Sequence, residues 1–359
     1  MSKDLVQVLQ PDGFNKSRWT QLPRDVVIGH QAILQLPDII ADIKPGHSAL
    51  IITGSTTREV AGVTIASLLK DSYDISQFVA GKLDSETLDS CSRAAAQVDF
   101  LIGIGGGRVI DCAKIVSYQQ DKPFISVPTA ASHDGIISGR ATLPTEKGSV
   151  SVQAHPPIAV VADTGIISKA PHRLMASGCA DVISNYTAIL DWELAHRMRG
   201  EQISEYAIAL SKMTAEILVK DASLIKPGQE EAAWIVVKAL VSSGVSMAIA
   251  GSSRPASGGE HKFGHALERL VPGAALHGEA CGIGSIMTMY LHGGDWREIR
   301  SSLSRIGAPT TPKELEIPDE IVVEALLKAR EIRPERYTIL DMGLTRESAE
   351  HLVELLYEE

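Results

Sequence analysis

The chain has 359 residues, enough for about two domains of roughly 150 residues each with ample core. Apolar residues make up 44% and charged residues 22%, so neither a disordered nor a fibrous chain is expected. The charges sum to 34 − 44 = −10 and aromatics are only 4%, which argues against a nucleic-acid or anionic-membrane binder and against single-strand stacking platforms.

That acidity has a corollary: any anionic ligand needs a local basic or backbone-amide pocket. The opening residues Met1-Ser2-Lys3-Asp4 carry no leader pattern, and no uninterrupted apolar run reaches the roughly 18 residues of a membrane span. Cys91, Cys112, Cys179 and Cys281 show no C-x-x-C spacing and sit among apolar or small residues, as reduced core thiols do. A cytoplasmic protein without membrane insertion is expected.

Short apolar runs at 26–29, 49–53, 76–80, 99–103, 124–127 and 158–162 are bounded by Gly, Pro or Asp and do not alternate. They read as strands covered on both faces. Helix-length segments between them, such as 56–70 and 84–97, predict a βαβ array with a parallel sheet. Residues 139–143 and 149–153 alternate around a turn and predict a β-hairpin. Beyond 163 the segments 170–199, 203–221, 230–251, 259–270, 278–292 and several between 295 and 357 have helical length and composition. Pro227-Gly228, Pro272-Gly273 and Gly307-Ala308-Pro309 break them. The expected organisation is an α/β domain with a parallel sheet over residues 1–165 and an all-α domain over 166–359.

Gly103-Ile104-Gly105-Gly106-Gly107-Arg108-Val109-Ile110-Asp111 follows a predicted strand and opens a helix. Glycines admit a pyrophosphate to the backbone, and the helix N-terminus offers free N–H groups. The usual fingerprint is not met, because Arg108 holds the third glycine position and the motif follows a late strand; a plain tight turn is the competing reading. The loop Pro128-Thr129-Ala130-Ala131-Ser132-His133-Asp134-Gly135 also leaves the carboxyl end of a strand, where ligands bind in such sheets. Its His133-Asp134 pair equally fits an ordinary polar turn.

Glu260-His261-Lys262-Phe263-Gly264-His265 sets His261 and His265 four apart on one helix face, and His277 begins a later helix able to fold back. Two imidazoles and one carboxylate make a catalytic metal set, and Asp181 is the carboxylate candidate because its helix is otherwise small and apolar. Against this, 11 histidines make chance pairing common.

Together, Gly105 to Asp111, the loop from Pro128 to Gly135, Ala180-Asp181, Ser252-Ser253-Arg254-Pro255-Ala256-Ser257-Gly258, Glu260-His261 and His277-Gly278 resemble the sn-glycerol-1-phosphate dehydrogenases, archaeal lipid enzymes. These belong to the superfamily of glycerol dehydrogenase, iron-dependent alcohol dehydrogenases and dehydroquinate synthase. The resemblance implies that Asp181, His261 and His277 bind zinc, that Asp134, Asp181 and His265 serve the substrate and catalysis, and that the helical domain is the metal- and substrate-binding one. It also implies that Gly105, Gly106, Gly107, Arg108, Val109, Thr129, Ala130, Ala131, Ser132 and Ser138 hold NAD(H) or NADP(H). Arg108, where plain glycerol dehydrogenases usually carry lysine, favours the glycerol-phosphate branch.

The expected reaction is reduction of dihydroxyacetone phosphate to sn-glycerol 1-phosphate, with His265 as proton relay, in a homo-oligomer. For the substrate phosphate, Arg254 offers a planar fork, with a structural ion pair as the equally weighted alternative. Small hydroxyl residues in Gly54-Ser55-Thr56-Thr57-Arg58 predict that NADPH is accepted beside NADH, unless this loop misses the ribose. The rivals are a polyol dehydrogenase without phosphate requirement, a dehydroquinate-synthase-like lyase and a non-catalytic metal-binding protein.

Overall fold

A computed structural model describes residues 20–145 and 148–357. Residues 1–4, read above as lacking a leader, lie outside the described residues. Six strands form one parallel sheet: β1 (Asp25–Gly29), β2 (Ser48–Thr53), β3 (Asp74–Val79), β4 (Phe100–Gly105), β5 (Phe124–Pro128) and β8 (Ala159–Asp163), in the order β1-β8-β5-β4-β2-β3. A separate antiparallel hairpin pairs β6 (Arg140–Thr145) with β7 (Gly148–Gln153), with Arg140 opposite Gln153.

Strands β2, β4, β5 and β8 are buried along almost their whole length, which explains why their sequences do not alternate. One face packs α1 (Leu36–Ile43) and α2 (Val63–Leu69) through Leu36, Ile40, Ile65 and Leu69 against Ile51, Ile102, Ile104 and Val127. The other packs α3 (Ser85–Ala95) and α4 (Gly107–Gln120) through Leu88, Cys91, Ile110 and Ala113 against Leu50, Ile52 and Leu101. The helices after β2 and β4 thus cover opposite faces. The carboxyl ends of these adjacent strands flank a topological switch point, where a ligand crevice opens. The predicted helix 56–70 is not uniform: a π-helical turn, Arg58–Gly62, precedes α2.

The rest of the chain is helical, and no strand follows β8 among the described residues. It comprises α5 (His172–Ile183), α6 (Asn185–Arg199), α7 (Glu205–Lys220), α8 (Glu230–Ala250), α9 (Gly259–Leu270), α10 (His277–Leu291), α11 (Trp296–Ile306), α12 (Asp319–Lys328) and α13 (Arg346–Leu355), with short 3₁₀ turns. The predicted single segment 170–199 breaks at Ser184, whose Oγ donates to the Asp181 carbonyl at 2.6 Å while Thr187 Oγ1 takes the Ser184 carbonyl at 3.0 Å. Hydroxyl capture of helix carbonyls bends the chain there. Helix α8 is long and apolar enough to cross a membrane by length and composition, with mean hydropathy 1.7. Its Val236, Val237 and Leu240 are fully buried in the helical core. That core also takes in Ala131, Ile136, Ile137, Val160 and Ala162, so the sheet half and the helical half pack on one apolar body beside the loop after β5.

Candidate active site and metal centre

The metal-ligand candidates come from three helices. Asp181 stands on α5, one turn after Ser177; His261 is in the first turn of α9; His277 is the first residue of α10. Arg173 on α5 grips Glu279 on α10 with Nε to Oε1 at 2.6 Å and Nη2 to Oε2 at 2.8 Å. Glu279 in turn accepts the Leu276 N–H at 2.8 Å, so α10 starts in a fixed place beside Asp181. Asp181 Oδ1 lies 3.5 Å from His261 Nε2 and 3.6 Å from His277 Nε2. Its Oδ2 accepts the Asp134 N–H at 3.0 Å.

A tetrahedral zinc with ligand bonds of about 2.0–2.1 Å holds neighbouring donors about 3.4 Å apart, so these separations fit a divalent metal. The second shell is in place too. His261 Nδ1 lies 2.9 Å from Glu260 Oε1, and buried Glu260 also accepts the Thr187 hydroxyl at 2.9 Å and the Gly258 N–H at 2.5 Å. Such a carboxylate fixes the ring so that Nε2 presents its lone pair. Burial alone would raise the Asp181 carboxyl, but the His261 hydrogen bond and the charges of His277 and His261 outweigh it and hold the group at about 2. Asp181 therefore presents a ready carboxylate.

Cys281 joins this group, a role absent from the reading of it as a core thiol. Its Sγ lies 3.8 Å from His277 Nε2, and the donor atoms of Asp181, His261, His277 and Cys281 all fall within 4.8 Å of one another. Burial pushes the thiol up, but His261 and His277 outweigh that and hold it below its usual range. The four-residue step from His277 to Cys281 on one helix was the signal for it.

Two further titratable groups face the centre. Burial, then the charges of His277, His261 and Arg333, holds His265 well below the usual histidine range, so it stays neutral. Asp134 is pushed up to about 7 by burial and by Asp181, while a hydrogen bond from Ser243 Oγ at 2.9 Å opposes the shift.

The predicted dinucleotide loops stand side by side because Gly105 and Pro128 are register partners and Thr129 N–H donates to the Gly105 carbonyl at 3.0 Å. Helix α4 begins after Gly106 in extended conformation with no side-chain cap, which leaves its first N–H groups open to an anion. Gly54 reaches Val109, since a Cβ there would lie 3.5 Å from Val109 Cγ2, and Thr57 Oγ1 donates to the Ile104 carbonyl at 2.9 Å. The loop after β2 therefore borders the glycine turn. Thr129, Ala130 and Ala131 are buried beneath the loop surface; Gly107, Arg108, Asp134 and Ser138 line a cleft of about 380 Å³ together with His261, His265 and His277.

Arg254 is not brought to this cleft. It is only 3% exposed, its Nε donates to Glu201 Oε1 at 2.7 Å, a second nitrogen contacts Glu201 Oε2, and Nη1 donates to the Tyr337 carbonyl at 2.9 Å. The ion-pair alternative describes it. The cations lining the cleft are instead Arg108, Arg140 and Arg333.

Comparison with known proteins agrees with this architecture. Residues 27–171 match the family described as iron-containing alcohol dehydrogenase. The chain is 87% identical over 359 residues to a glycerol-1-phosphate dehydrogenase, NAD(P)+, of Methanospirillum hungatei, and 67% identical over 359 residues to one of Methanosphaerula palustris, with 100% of both chains covered in each case. Among solved structures, glycerol dehydrogenase from Schizosaccharomyces pombe superposes with a TM-score of 0.80 at 21% identity, covering 95% of this chain and 91% of that one. Sulfoacetaldehyde reductase from Bifidobacterium kashiwanohense in complex with NAD+ gives 0.75 at 16% identity, covering 95% and 99%. These structural likenesses establish the fold.

Proposed function

The chain belongs to the glycerol-1-phosphate dehydrogenase family of NAD(P)-dependent oxidoreductases, and from that premise we propose how its residues divide the reduction of dihydroxyacetone phosphate to glycerol 1-phosphate. Asp181, His261 and His277 hold a zinc ion, oriented from behind by Glu260 and by the Asp134 N–H. A bound zinc would supply Lewis acidity toward the ketone oxygen, and a bound reduced nicotinamide would supply the hydride. The glycine turn Gly105 to Val109, the stretch Thr129 to Ser132, and Ser138 bind NAD(H) or NADP(H), with the pyrophosphate against the open N–H groups of α4. Asp134 and His265 face the substrate. His265, neutral and one turn from His261, relays the proton: one ring nitrogen gives its proton to the nascent alkoxide as the other accepts one from water, and the transfers reverse in the oxidation.

The observation that carries this reading is the convergence on one cleft of His261 and His277, backed by Asp181, and of an uncapped glycine turn at the switch point of a parallel sheet. The same reading includes the sn-1 configuration of the product, its use as the glycerol backbone of archaeal phospholipids, and action in the cytoplasm as a homo-oligomer.

The test is chiral analysis of the product formed from dihydroxyacetone phosphate, run with NADH and with NADPH. The expected result is sn-glycerol 1-phosphate from both cofactors, with efficiencies within roughly 100-fold, about 2.7 kcal/mol. The opposite enantiomer, or no lasting consumption of reduced cofactor, overturns it.

A further inference from the structure

With Arg254 neutralised by Glu201, the cleft must find another counter-charge for a dianionic substrate on a chain of net charge −10. Three other guanidiniums gather at the rim where the main cleft meets a neighbouring hollow. Arg140 and Arg333, with Ser253, line both spaces, and Arg336 lines the second. Arg336 Nη2 donates to Ser253 Oγ at 2.9 Å and Arg333 Nη1 reaches the same oxygen at 3.5 Å. Among the described residues Arg140 is tied to neutral groups, the Ser151 carbonyl at 2.9 Å, Ser151 Oγ at 3.2 Å and Gln153 Oε1 at 3.3 Å. Arg336 likewise donates to the Ser257 carbonyl at 2.5 Å.

No carboxylate forms an ion pair with any of the three among the described residues. Glu335 acts on Arg333, and Glu260 and Glu201 act on Arg336, only at longer range. The guanidiniums oppose one another instead: burial and then Arg140 lower Arg333, while burial, Arg333 and Arg254 press Arg336 down to about 9. Half-buried like charges without a counter-ion are costly, and a multiply charged anion relieves that cost. Arg333 moreover sits at φ 46°, in the left-handed region that favours glycine, immediately before Pro334.

We propose that Arg140, Arg333 and Arg336, meeting around Ser253, form the subsite that receives the phosphate of the substrate. The proposal rests on the reading that a phosphate ester is reduced in this cleft. The subsite belongs to the substrate end, because Arg140 and Arg333 line the cleft with His265 and His277, whereas the cofactor loops leave the carboxyl ends of the interior strands β2 and β4 around Gly54 and Gly105. Planar forks from a strand and from a loop can each give two parallel hydrogen bonds to phosphate oxygens.

The test compares wild type with Arg333→Gly and Arg140→Gln in steady-state kinetics, with inorganic phosphate as a competitive probe. In both variants the KM for dihydroxyacetone phosphate rises roughly 30-fold, about 2 kcal/mol at 1.36 per decade. The inhibition constant of inorganic phosphate rises in parallel, and the KM values for NADH and NADPH stay within about twofold. Arg333→Gly also keeps the wild-type Tm, because glycine suits its backbone, which separates lost binding from lost folding. Unchanged substrate KM and phosphate inhibition in variants of an active enzyme overturn the subsite alone, as does a rise confined to NADPH. A wild-type enzyme that does not reduce dihydroxyacetone phosphate overturns the subsite together with the reading beneath it.

Discussion

Gly278 packs its Cα directly on the Ser177 carbonyl: a Cβ at this position would stand 1.8 Å from that oxygen. The Gly278 N–H is bonded to Ser177 Oγ at 3.2 Å, so α5 and α10 meet backbone to backbone one turn before Asp181 and one residue after His277. This contact sets the spacing between two metal-ligand candidates.

Gly278→Ala therefore forces α10 away from α5. Overpacking of this kind costs about 1–3 kcal/mol. The expected outcome is a lowered Tm together with a weakened metal site, read as less than one metal per chain after dialysis. A variant with full metal content and wild-type Tm would show that the helices separate without moving the ligands.

Glu260 is fully buried and holds His261 from behind. Loss of such an outer partner lowers metal affinity about 10–100-fold. Glu260→Gln is expected to fall in that range in competition against a chelator. The Gly258 N–H keeps the amide oxygen placed at Oε1, and the amide nitrogen at the other position faces Thr187 Oγ1, whose hydroxyl donates to the Ser184 carbonyl, so the fold survives. Unaltered affinity would mean that His261 is oriented by α9 alone.

Much of this site could be read along the chain because its signals are local. Asp181 stood out as a charge on an otherwise small and apolar helix, and His261 and His265 as a four-residue pair; the structure sets buried Asp181 against His261 and His277, and lines one cleft with those two histidines and His265. The sheet was legible because strands buried on both faces are short apolar runs. The cationic residues were not legible. A guanidinium fork suits carboxylate as well as phosphate, and Glu201, which claims Arg254, lies 53 residues away. Arg333 sits in a loop far along the chain from His261, and its left-handed backbone has no glycine to announce it. Cys281 resembled the other buried thiols until α10 aligned it with His277.

Arg254→Ala is expected to act on stability and not on phosphate recognition. Removing it leaves the Tyr337 carbonyl without this donor, while Glu201, 35% exposed, turns to water, so the loss is about 1–3 kcal/mol. Denaturant unfolding should show that loss, while the KM for dihydroxyacetone phosphate in the folded fraction stays within about threefold of wild type. A large, selective rise in that KM would return Arg254 to the substrate.

The central claim is that Asp181, His261 and His277 hold the metal on which reduction depends, and metal removal and return tests it most directly. Enzyme stripped by a chelator is assayed for consumption of reduced cofactor with dihydroxyacetone phosphate, then titrated with zinc while bound metal is counted. The account predicts a loss of roughly 1,000-fold or more, as removal of a Lewis acid worth several kcal/mol requires. Activity should return at one zinc per chain, with no return in His261→Ala or His277→Ala; His265→Ala should bind the metal and remain slow. Full activity in metal-free protein would contradict it.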